Sequence, residues 1–116
     1  MDIETISKNA AEQFAVCRKL LVALGDETRQ AVITTLISAK CDGMRVGDIT
    51  ERTHLSRPAV SHHLQILLDT EVIGVTHEGT KNYYWLKLGG AWEAFVALIN
   101  NIQLLRESGG TCDECD

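Results

Sequence analysis

Pro58 is the only proline in the 116-residue chain, and its position limits what the middle of the protein can be. It follows "THLS" and opens "RPAVSHHLQILLDT". A proline has no backbone N–H to donate, so a helix accepts it only in the first turn, where those N–H groups lack intrahelical partners. Ser56 stands two residues earlier, where its hydroxyl can cap the helix that the proline opens. Val60, Leu64, Leu67 and Leu68 then recur at helical spacing and mark the buried stripe. Arg57, Ser61, His62 and Gln65 are left facing outward. The preceding run, "RVGDITERT", has Val46 and Ile49 starting a shorter helix, with Thr53 to Leu55 as the turn between the two.

The segment after this helix pair narrows the choice further. "VIGVTHEGTKNYYWLKL" contains two β-prone runs, Val72 to His77 and Asn82 to Leu88, around "EGTK", and reads as a hairpin. A short helix, a tight turn, a polar-faced second helix and a hairpin form a winged helix-turn-helix, whose second helix lies in the major groove of DNA. The expected fold is therefore mainly α with a small β-hairpin. Reading base edges requires donors and acceptors on the exposed side of that helix, and Arg57, Ser61, His62 and Gln65 supply them.

The adjacent histidines raise a rival reading, metal binding. Neighbouring helix positions point about 100° apart, whereas a chelating pair on one helix needs a spacing of three or four. His62 and His63 therefore do not grip one ion together. His63 borders the apolar stripe and is expected to pack or to make a hydrogen bond. His54, in the turn, and His77, in the hairpin, are expected at the surface.

The flanks read as helices. Ile3, Ile6, Ala10, Phe14, Cys17, Leu21 and Leu24 form one amphipathic helix that Gly25 ends or bends. Asp26 caps a second, "ETRQAVITTLISAK", on which Ala31, Val32, Leu36 and Ile37 share a face. "CDGM" breaks the pattern with Gly43 as the turn. At the far end, "AWEAFVALINNIQLLRE" carries Trp92, Phe95, Val96, Ile99 and Ile102 on one side and Ala94, Leu98 and Leu105 on another. That apolar arc is wider than one small core requires, so the helix is expected to bury surface against a partner. Residues 1–108 are read as one DNA-binding and dimerisation domain, and residues 109–116 as a flexible tail.

Charge has to be taken by region. The chain carries −5 overall, which argues mildly against non-specific nucleic-acid binding. From Arg45 to Gly90, however, five basic residues (Arg45, Arg52, Arg57, Lys81, Lys87) balance five acidic ones (Asp48, Glu51, Asp69, Glu71, Glu78), and all four histidines lie there. No run approaches the length of a membrane span and the N-terminus lacks a signal pattern, so a cytoplasmic protein is expected. Four cysteines, Cys17, Cys41, Cys112 and Cys115, are too few and too uneven for a secreted disulfide framework. Cys17 falls on an apolar stripe, where a thiol acts as a small hydrophobe or as part of a sensor. Cys41 has no obvious partner. Cys112 and Cys115 form a C-x-x-C suited to holding a soft ion or to reversible disulfide formation, although a zinc site wants four ligands. There is no phosphate-gripping glycine loop and no Ser/His/acid arrangement, and the C-x-x-C is not at a helix N-terminus. An enzyme is not expected.

The runs "LVALGDETRQAVITTLI", "VGDITERTHLSRPAVSHHLQILLDTEVI" and "EGTKNYYWL" resemble the ArsR/SmtB family of dimeric bacterial repressors, which release DNA on sensing metals, metalloids or redox signals. The resemblance covers about Leu20 to Leu105 and is most specific from Ser56 to Leu68. It implies a homodimer built from the first and last helices, and DNA contacts by Ser56, Arg57, Ser61, His62 and Gln65, with Lys81 at the wing. The chain also departs from the family. "RVGDITERT" lacks the Cys-x-Cys of one sensor type, and the last helix has no histidine and only Glu93 and Glu107 as carboxylates, so two of the family's sensing sites do not carry over. Lys81 is the only cation in "HEGTKN". The expectation is a repressor on an inverted-repeat operator in double-stranded DNA, released by a thiol-reactive effector such as a soft metal, trivalent arsenic or an oxidant. Cys17, Cys112 and Cys115 are its candidate ligands. The alternative is a winged-helix protein-interaction module with little or no specific DNA binding, which the acidic total and poorly basic wing favour.

Overall fold

A computed structural model describes residues 2–39 and 42–109. Within them lie six helices and one antiparallel hairpin: α1 (Ile3–Val16), α2 (Arg18–Leu24), α3 (Glu27–Ser38), α4 (Val46–Thr53), α5 (Arg57–Asp69), β1 (Ile73–Glu78), β2 (Lys81–Leu86) and α6 (Ala91–Ser108). The mainly α fold with a small hairpin is as expected.

The helix boundaries follow from side-chain chemistry. Asp26 accepts from the Arg29 backbone N–H at 2.9 Å and starts α3. Ser56 accepts from the Ala59 N–H at 3.2 Å and starts α5 with Pro58 in its first turn. Between α4 and α5, His54 takes the left-handed conformation at φ 59° and ends α4. That reverses the chain within three residues and sets the two helices at an angle. Leu36, Ile49, Val60, Leu64, Leu67, Val72 and Ile73 meet in one core under the helix pair and the hairpin.

Two expectations need correcting. The first helix is not continuous, because Cys17 adopts φ −86° and ψ 3° and separates α1 from α2. The bend turns Cys17 and Leu20 inward, whereas Phe14 and Val16 stay exposed. On α3 the buried face is Val32, Ile33 and Leu36, with Ala31 and Ile37 outside. That helix packs against α4, α5 and β2, and those neighbours rotate its inward face by one position from the one expected. The hairpin also gains a partner. Met44 pairs with Tyr84 through reciprocal backbone hydrogen bonds of 2.8 Å, made possible by Gly43 at φ 78°, where a Cβ would lie 2.7 Å from the Tyr84 carbonyl oxygen.

α6 packs along α1, where Asn101 Nδ2 donates to Gln13 Oε1 at 2.6 Å. This pair forms an arm, and the described chain measures 53 × 28 × 21 Å with a radius of gyration of 17.5 Å. A compact globule of this length would have about 13 Å. Phe14, Val16, Val96, Ile99 and Leu104 remain exposed on the arm. No helix among the described residues is long and apolar enough to cross a membrane.

Candidate nucleic-acid interface

The α5 backbone rests on the core through Val60, Leu64 and Leu67, which are at most 1% exposed. Helical geometry then dictates that positions 57, 61, 62 and 65 project away from that stripe. Arg57, Ser61, His62 and Gln65 are all exposed, as is Ser56. The side chains singled out from the sequence thus share the outer surface of one helix, and the cap at Ser56 fixes where that helix begins.

Their environments differ. The Ser56 hydroxyl already accepts from Ala59, but its own O–H remains available as a donor. Gln65 Nε2 donates to Asp69 Oδ1 at 2.9 Å, which pins the amide along the helix. His62 is free on its outer side and meets the His63 ring edge-on, with ring centroids 5.4 Å apart. His63 itself is partly buried. Arg29 Nη1 lies 3.5 Å from its Nδ1, in accord with the hydrogen-bonding role expected of it.

The wing closes one end of this surface. β1 and β2 pair from Ile73 with Leu86 to Glu78 with Lys81, around Gly79 and Thr80. Two side-chain bonds stiffen it, His77 Nδ1 donating to Asn82 Oδ1 and Trp85 Nε1 donating to Thr76 Oγ1 at 2.9 Å. Lys81 is exposed at the tip but sits opposite Glu78, so the tip carries little net charge. His54 and His77 are exposed, as expected.

Sequence reasoning missed a cleft between the start of α4, the start of α5 and the wing. It is lined by Arg45, Val46, Gly47, Asp48, Arg57, Thr80 and Asn82. Arg45 precedes α4, whose N-terminus has no side-chain cap. Two guanidinium groups, a hydroxyl, an amide and the positive end of a helix line it, with Asp48 as the one opposing charge among the described residues. Arg45 was visible as a cation in the sequence, but its nearness to Arg57 depends on the turn angle at His54.

Among the described residues no group of three His, Cys, Asp or Glu side chains is placed to hold a metal ion. Cys17, 2% exposed, lies at a cleft formed with Val16, Lys19, Leu20, Gly90, Ala91 and Ala94. The other three thiols, Cys41, Cys112 and Cys115, lie outside the described residues.

Comparison with known proteins decides the family. The model of the bacterial regulatory proteins of the arsR family matches residues 26–74, from the α3 cap through the helix pair to the first wing strand. The Bacillus subtilis transcriptional repressor SdpR is 41% identical over 80 residues, covering 69% of this chain and 86% of SdpR. The chain belongs to the ArsR family. The arsenical resistance operon repressor of Staphylococcus aureus is similar at 26% identity, over 80% of this chain and 83% of that protein. Among solved structures, an ArsR family transcriptional regulator superposes with a TM-score of 0.68 at 24% identity, over 84% of this chain and 94% of its own. Reduced HlyU from Vibrio cholerae gives 0.58 at 26% identity, over 90% and 95%. These likenesses place the winged helix in a known ArsR architecture. As an ArsR protein the chain is a DNA-binding transcriptional regulator and not an enzyme.

Proposed function

We propose that the protein is a homodimeric transcriptional repressor that reads an inverted-repeat operator and leaves it when a thiol-reactive effector binds. The observation that carries the DNA reading is the shared outer surface of α5, where Arg57, Ser61, His62 and Gln65 stand clear of a helix anchored by Leu64 and Leu67. Arg57 and His62 are the base-reading candidates, Ser56 and Lys81 the backbone contacts, and Gln65 reads a base through the oxygen not committed to Asp69. Arg45 joins them, because its cleft with Arg57, Thr80 and Asn82 suits a phosphate oxygen. Repression is supported by the stated roles of the similar proteins SdpR and the arsenical operon repressor.

Two protomers present two reading helices, so the half-sites should lie about one helical turn apart, or a multiple of it. For the effector, the similarity to arsenical operon repressors and the chemistry of Cys112 and Cys115 favour trivalent arsenic or a soft metal, with Cys17 as the third thiolate. Residues 109–116 would then act as a sensing tail beside a 1–108 domain. An effector releases DNA only if it binds the DNA-incompetent dimer more tightly than the competent one.

Selection of bound fragments from random DNA at moderate salt tests the core of this reading. Enrichment of an inverted repeat is expected. If no sequence is enriched, the repressor reading fails and the interaction module, with its near-neutral wing, takes its place. Titrating the enriched complex with arsenite, cadmium and an oxidant identifies the effector class, and a chain ending at Ser108 that responds unchanged would remove the tail from the sensor.

A further inference from the structure

Arg29 is held more tightly than an exposed arginine needs to be. Its Nε donates to the Ala23 carbonyl at 2.8 Å and its Nη2 to the Val22 carbonyl at 3.3 Å. Both carbonyls belong to the last turn of α2; that of Val22 also accepts from the Gly25 N–H at 3.2 Å, whereas that of Ala23 lies where carbonyls run out of intrahelical partners. Its backbone N–H is committed to the Asp26 cap. The guanidinium is therefore preset, and its remaining nitrogen, Nη1, points across to α5 and stops 3.5 Å from His63 Nδ1. This contact joins the α2–α3 corner directly to the recognition helix. It does so one residue from His62, whose ring touches that of His63.

We propose that Arg29 and His63 form a latch that positions the recognition helix for DNA, and that the latch closes only while His63 is neutral. The proposal rests on the DNA-binding role of α5. A neutral imidazole can accept from Arg29 at Nδ1 while keeping its proton on Nε2; an imidazolium has no acceptor and repels the guanidinium. His63 is thus a positioning residue, acting through the orientation of α5 and of the His62 ring beside it.

The charges around His63 set the direction of the switch. Burial pushes its pKa below the usual 6.5, Asp26 pulls it up, and Arg29 and His62 push it further down. The folded protein therefore prefers neutral His63. Stability from this group is complete above the ordinary histidine range, falls as pH drops below about 6.5, and is lost once pH is below the lowered value. Acid opens the latch.

The test compares full-length wild type with His63→Asn, which keeps an acceptor near the Nδ1 position but does not titrate. Affinity for the enriched DNA fragment is measured from pH 7.5 to 5.5 at fixed salt, each protein normalised to its own value at pH 7.5. The ratio reports what changes when the His63 imidazole is replaced. By pH 5.5 wild type should lose affinity relative to His63→Asn by about fivefold, the low end of couplings between linked sites. Superimposable pH profiles would overturn the latch. A DNA-free arm follows the His63 ring by NMR in Arg29→Gln, where its titration should move to higher pH. Should that variant not fold, Asp26→Asn, which preserves the cap, should move it to lower pH. An unmoved titration in a folded variant also overturns the latch. If wild type enriches no DNA at all, the repressor reading falls, and the NMR arm alone judges the latch.

Discussion

His62 and Leu64 sit two positions apart on α5 and should answer substitution in opposite ways. His62 is exposed and makes no bond to the core, so His62→Ala should leave the unfolding midpoint unchanged while weakening specific DNA binding by about 1–3 kcal/mol, the worth of one good base contact. Leu64 is 1% exposed, and Leu64→Ala should cost about 2–5 kcal/mol of folding stability. Paired denaturation and DNA-affinity measurements check both; a His62→Ala protein with wild-type affinity would mean that His62 is merely solvated. Arg45→Ala makes a third case. A phosphate contact carries no sequence information, so its loss should weaken all sequences alike and reduce the slope of log affinity against log salt by about 1. If the slope is unchanged, no phosphate occupies the cleft. Asp48 lines the same cleft, and Asp48→Asn should tighten binding there by removing the opposing charge.

Position in a helix was legible wherever local chemistry dictates it. Ser56, Pro58 and the Val60–Leu64–Leu67 stripe define where α5 starts and which way it faces without reference to any other part of the chain, and Asp26 does the same for α3. Features that depended on distant partners were not legible. The break at Cys17 is invisible to periodicity, because residues on both sides keep helical spacing. The inward face of α3 is chosen by α4, α5 and β2, and Met44 finds Tyr84 forty positions away. Nothing in the run Ile73–Glu78 reveals that Gly74 exists to receive a ring. A Cβ there would lie 2.4 Å from the Trp85 side chain, so the indole lies over the glycine and reaches Thr76. Gly74→Val should therefore displace Trp85 and break that bond. Trp85 fluorescence should change and the wing amides should exchange faster, while α5 stays protected; unchanged fluorescence and exchange would show that the wing tolerates the side chain.

The described chain is elongated and leaves large apolar side chains in water. Its radius of gyration, 17.5 Å, exceeds the compact value because α1 and α6 stand off the core as a two-helix arm. Val96 is 56% exposed, Ile99 51%, Leu104 42% and Phe14 51%, and together they leave an apolar surface along the arm of the kind that marks an interface. A second copy of the chain is the proposed cover, since a two-fold pairing buries the same patch on both partners. Ile99→Glu puts this to a test that folding does not confuse. In the protomer the residue is half exposed, so a carboxylate there stays hydrated and the monomer should keep its helical content. In a dimer it would be buried, together with its symmetry mate, without a partner charge. Sedimentation should find wild type near twice 12.8 kDa and Ile99→Glu near the single-chain mass. The variant should also lose most of its operator affinity, because one reading helix then binds one half-site. If Ile99→Glu sediments with wild type as a dimer, this face of α6 is not the interface; if wild type itself sediments as a monomer, the exposed arm needs a different partner and the inverted-repeat operator loses its rationale.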